Sequence, residues 1–213
     1  MNQSTLPRLG AACGAVFAIV LTVANGNGTQ TFSSPRAVAG IAALTLVLPF
    51  IAYLCSMLRQ ADRAAGAAGA AEPDGWLAST ALAAGITGIV LKLGSGAPEL
   101  AVHTAHLTAG TQLNTAIEAI ADGATVLSLY PLAVFCAATA IVAFRTHALP
   151  RWLSAGAAVT AVALAINGGF LGTGSVPALL LFALWTLLTS VHLLRRTWRK
   201  PAPVVHTEAT VGI

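Results

Sequence analysis

The run 123-GATVLSLYPLAVFCAATAIVAF-144 holds 22 residues and no charged side chain. As a helix rising 1.5 Å per residue it covers about 33 Å, enough to cross the hydrocarbon core of a bilayer. Its apolar residues fall on every face and not on one stripe, the pattern of a helix surrounded by lipid and by other helices. A transmembrane barrel needs strands of about ten residues that alternate in polarity, and the sequence has no such alternation.

Five more runs fit the same template: Leu9–Ala24, Val38–Leu58, Trp76–Ala97, Trp152–Leu171 and Val176–Leu194. The composition agrees with them. Of 213 residues, 56% are hydrophobic and 8% charged, against about 25% charged in a domain whose surface faces water. The expected fold is therefore all-α: an integral membrane bundle of six transmembrane helices over residues 1–200, followed by a disordered tail, 201–213. The first run is the shortest and follows Arg8. It reads either as a span or as the core of a cleavable signal peptide, but Thr22-Val23-Ala24 is a poor cleavage site and favours the span.

Six spans place the N-terminus, the second and fourth loops and the C-terminus on one side. That side carries nine Lys and Arg residues, from Arg8 through Arg59, Arg63, Arg145 and Arg151 to the cluster at Arg195–Lys200, whereas Arg36 stands alone on the other. This asymmetry predicts that both termini are cytoplasmic. Trp76, Trp152 and Trp198 mark the same side as an aromatic belt. The net charge of +4 is spread between apolar runs instead of forming a basic face, so nucleic acid is not an expected partner. The expected partners are the lipid bilayer and a membrane protein or a second copy of the chain. Cys13, Cys55 and Cys136 lie inside apolar runs and read as packing residues. The second loop, 59-RQADRAAGAAGAAEPDG-75, reads as a free linker. The tight fourth and fifth loops make the last three helices antiparallel neighbours. Kinks are expected at Pro49 and Pro131, and Asn167 is expected to cap the fifth helix.

The polar residues that invite a functional reading flank the third loop. Ser95-Gly96-Ala97-Pro98 is expected to stop the third span and to start a short interfacial helix from Glu99. On such a helix Glu99, His103 and His106 share one stripe, while Glu118 and Asp122 precede the fourth span. Lys92 lies one to two turns inside the third span. It either snorkels to the headgroups or pairs with Glu118 or Asp122. The spacing of Glu99, His103 and His106 lets three ligands meet on one ion only with difficulty and lacks the His-Glu-x-x-His register, so no metal or other cofactor is expected. No nucleophile comes with a recognisable partner, and no glycine loop is built to cradle phosphate.

The stretches 92-KLGSGAPELA-101, 130-YPLAVFCAATAIVAFRTHALPRWLSAGAAV-159 and 185-WTLLTSVHLLRR-196 resemble small polytopic membrane proteins of unknown function common in high-GC actinobacteria. The resemblance implies a protein of the bacterial cytoplasmic membrane with about six helices, and it brings no catalytic or binding residues. The expected function is a non-enzymatic accessory or small-solute permeation component. The rival is a membrane-embedded enzyme or metal-binding protein with an outward-facing site around Lys92, Glu99, His103, His106, Glu118 and Asp122.

Overall fold

A computed structural model describes residues 5–26, 34–67, 75–104, 112–171 and 176–199. Those residues form six α-helices and no strand: α1 (Thr5–Gly26), α2 (Ser34–Ala67), α3 (Trp76–Thr104), α4 (Gln112–Thr146), α5 (Arg151–Ile166) and α6 (Val176–Arg199). A π-helical turn, Asn167–Leu171, extends α5. Five of the helices carry segments long and apolar enough to cross a bilayer, and α1 carries a shorter apolar run, Arg8–Val23. Consecutive helices pack on one another, α1 also packs on α6, and α4 reaches across to α2.

The middle of the bundle is aromatic. Phe17 of α1, Phe135 of α4 and Phe182 and Trp185 of α6 are buried. Their rings meet at centroid separations of 6.0–6.4 Å, mostly edge to face, the geometry that ring quadrupoles favour. Trp185 also satisfies its indole, donating from Nε1 to the carbonyl of Leu153 on α5 at 3.1 Å. One aromatic layer thus touches four helices. Close helix approach depends on small residues. A Cβ at Gly14 would collide with Ser190 Oγ and lie 2.6 Å from the Phe50 ring, and one at Gly88 would lie 2.7 Å from Leu132 Cγ. Between apolar helices of this kind, such backbone proximity supplies packing contact.

Helix ends depart from the apolar runs in three places. The helix of α2 continues through Arg59–Ala67, so the expected linker starts later than residue 59. Arg, Gln and Ala favour helix, and Asp62 gives the extension an anchor by accepting from the Gly75 N–H at 3.1 Å. Gly75 has φ +52, a backbone conformation that glycine adopts without steric cost, and it turns the chain into α3. The helix of α3 does not stop at Ser95-Gly96-Ala97-Pro98 but runs on with Pro98 inside it. Proline removes one helix hydrogen bond, and Ser95 Oγ donates to the Lys92 carbonyl at 2.7 Å in this same stretch. At the other side of the hairpin, α4 starts at Gln112, eleven residues before Gly123. Glu118 and Asp122 are therefore helical and not part of a connecting loop.

The other expectations fare better. Asn167 is the C-cap of α5, its N–H directed at the Ala163 and Leu164 carbonyls, but it keeps right-handed helical angles and the chain continues into the π turn. Pro49 and Pro131 lie within helix interiors. The α4–α5 connection is as tight as expected, closed by Arg196 Nη1 donating to the Ala148 carbonyl at 3.1 Å. All three cysteines are free thiols, with Cys55 and Cys136 buried. The tail 201–213 and the 172–175 connection lie outside the described residues.

Candidate functional site

The α3–α4 hairpin carries the residues that the sequence singles out. Gly88 of α3 seats against Leu132 of α4, and one turn farther along, Lys92 meets Thr125, seven residues before Leu132. Two helices that run in opposite directions bring these positions level because i, i+4 and i+7 share a face. Lys92 Nζ donates to Thr125 Oγ1 at 2.8 Å. Both residues are half-buried, so the bond forms where competing water is scarce and a charge-assisted donor is worth more than at an open surface.

Two serines frame this bond. Ser95 is buried and donates to the carbonyl of Lys92, and Ser128 is buried and donates to the carbonyl of Thr125 at 2.6 Å. Each serine sits three residues past the residue it bonds, so each hydroxyl closes back on its own helix. The result is a compact polar spot, Lys92, Ser95, Thr125 and Ser128, between apolar neighbours. Its chemistry suits joining two helices: it offers one ammonium bonded to the Thr125 hydroxyl and two serine hydroxyls committed to backbone carbonyls, with no general base among these four residues.

Asp122, one turn before Thr125, is exposed on α4. Glu99 and His103 lie on α3 and Glu118 on α4, but their side chains fall outside the described residues, as does His106 altogether. The stripe of Glu99, His103 and His106 and the pairing of Lys92 with Glu118 are therefore not described. Among the described residues no three His, Cys, Asp or Glu side chains gather in a way that could hold a metal ion.

The structure adds polar groups that the sequence reading passed over or read otherwise. Thr139 of α4 and Thr186, Thr189 and Ser190 of α6 are fully buried. Their hydroxyl oxygens have no hydrogen-bond partner among the described residues. They lie one turn beyond the aromatic layer, since Thr139 follows Phe135 by four and Thr186 and Thr189 follow Phe182 and Trp185 by four. Asn167 is 4% exposed, and both its amide atoms lack a hydrogen-bond partner among the described residues, beside the point where Gly168 seats against the Tyr130 ring. The available signal was polar residues at helical spacing within otherwise apolar runs. Hydroxyls are common enough in such runs that spacing alone does not single them out.

Tryptophan exposure separates two roles. Trp185 is 3% exposed at the centre, whereas Trp76, Trp152 and Trp198 are more than half exposed. The last three belong to the end where Arg59 Nη2 donates to Ser79 Oγ and Arg196 reaches Ala148. Comparisons with protein-family models, with curated proteins and with solved structures find no match to this chain.

Proposed function

We propose that this chain is a six-span protein of the bacterial cytoplasmic membrane, with both termini in the cytosol, serving as a non-enzymatic accessory subunit. The observation that carries this reading is the filled centre. Phe17, Phe135, Phe182 and Trp185 occupy the middle of the bundle where a permeation path would run. Close-packed interiors admit little beyond isolated waters. The orientation follows from arginine placement, nine cationic residues to one across the expected spans, and the resemblance to small polytopic actinobacterial membrane proteins points the same way.

The α3–α4 hairpin supplies the docking element. Helix α4 starts about 16 Å before Gly123 at the usual rise per residue, so the hairpin projects beyond the end expected for the membrane span. The projecting part of α4 carries exposed Leu113, Ile120 and Asp122, a mixed surface suited to another membrane protein's external face. The bond between Lys92 and Thr125 fixes the two helices where the projection begins.

Reconstitution into vesicles tests this reading. Osmotic swelling with water, glycerol or urea should match protein-free vesicles, and the chain should leave the native membrane in stoichiometric association with a larger membrane protein. Saturable, protein-dependent swelling would replace the accessory role with permeation.

A further inference from the structure

A groove of about 300 Å³ opens beside the last turns of α6, lined by Val191, Leu194, Arg195 and Trp198. Its wall is apolar except for the guanidinium of Arg195. The two neighbouring arginines divide their work. Arg196 is spent on the Ala148 carbonyl, while Arg195 is exposed and has no hydrogen-bond or ion-pair partner among the described residues. Leu188 and Leu184 continue the same face towards the middle of the helix, at i−7 and i−11 from Arg195, and both are exposed. An apolar track therefore ends at one uncommitted cation, with an indole, 75% exposed, one turn beyond it.

The geometry points to a binding site for one anionic phospholipid, an inference that rests on the membrane reading above. An acyl chain would lie along Leu184, Leu188 and Val191. The phosphate would meet Arg195, whose planar fork matches phosphate oxygens in pairs, and the Trp198 indole would sit at glycerol level, where its ring is apolar and its N–H is a donor. Charge selects the headgroup. Arg196 adjoins the groove and exposed Arg145 and Arg151 flank Ala148, the residue to which Arg196 is tied. The described carboxylate at this end, Asp62, is buried and already accepts the Gly75 N–H. A zwitterionic lipid would bring its ammonium into this cationic field with no carboxylate among the groove's described residues to receive it, whereas a net-negative headgroup gains from each of these arginines.

Native mass spectrometry of the full chain in mild detergent, titrated with phosphatidylglycerol and phosphatidylethanolamine of identical acyl chains, tests the site. Wild type should retain one phosphatidylglycerol with about tenfold preference, the scale of one charge-assisted contact. Arg195→Gln should abolish that preference, and Arg63→Gln, which removes an exposed arginine of the same end that is not among those near the groove, should keep it. Equal retention of both lipids by wild type, or equal losses in the two variants, would overturn the site and leave the membrane reading standing. A chain that stays monodisperse in buffer without detergent would overturn both.

Discussion

At the arginine-rich end, three hydrogen bonds join separate elements: Arg59 to Ser79, the Gly75 N–H to Asp62, and Arg196 to Ala148. At the other end, Lys92 bonds Thr125 across one helix pair, and α3 and α4 run on together past it. The difference separates a cross-tied end from a hairpin, the element that the proposed accessory role assigns to a partner. The arginine-rich end is cross-tied through side-chain and backbone groups and lies next to the buried Thr139, Thr186 and Thr189 and the aromatic layer. The Lys92 end is a hairpin with exposed Leu113, Ile120 and Asp122, held by pairing within itself.

Substitutions can break or sharpen that contrast. Phe135→Ala removes the ring that touches both Phe182 and Trp185. It should cost about 3–5 kcal/mol of unfolding free energy in mixed micelles, and a loss below about 1 kcal/mol would mean the aromatic layer does not organise the bundle. Gly14→Val drives a side chain into Ser190 and Phe50 and should cost about 1–3 kcal/mol through overpacking. At the Lys92 end the effects shrink. Lys92→Met and Thr125→Val should leave insertion intact and show a coupling of about 0.6 kcal/mol in a double-mutant cycle, the scale of interhelical hydrogen bonds in membranes. A coupling near zero would show that the 2.8 Å bond does not link α3 to α4. Asp122→Asn, on an exposed helical surface, should shift stability by no more than about 0.5 kcal/mol, while weakening partner retention in co-purification if the hairpin is the docking element.

The elements were legible because bilayer thickness writes itself into sequence as runs of apolar residues. Each of the six runs lies on a described helix, with part of the 152–171 run in the π turn. Their ends were less legible for a physical reason: hydropathy marks where lipid should stop, and a helix continues wherever its backbone remains satisfied. Arg59–Ala67 and Gln112–Asp122 are polar enough to read as connections, yet both are rich in helix-forming residues and both are helical. Pro98 misled similarly, because a proline that often starts a helix can also sit within one at the loss of a single bond.

Carboxylates were expected as partners of Lys92, since burying an ammonium calls for an opposite charge; the Glu118 side chain lies outside the described residues, and the bond that is described goes to Thr125. A neutral hydroxyl also accepts from an ammonium, and Thr125 sits level with it across the hairpin. That register is set by which faces of α3 and α4 meet, with Gly88 against Leu132, and a single apolar run does not encode it. Asn167 was placed correctly at the end of α5, but its buried amide and the π turn after it depend on Gly168 packing against Tyr130, a tertiary contact.

The central claim is a chain that threads the membrane six times and leaves its arginine-rich end in the cytosol. Paired fusions to alkaline phosphatase and green fluorescent protein after residues 70, 109 and 199 test it most directly. The account predicts fluorescence without phosphatase activity at 70 and 199, and phosphatase activity without fluorescence at 109. Phosphatase activity at 199, or fluorescence at 109, would contradict it.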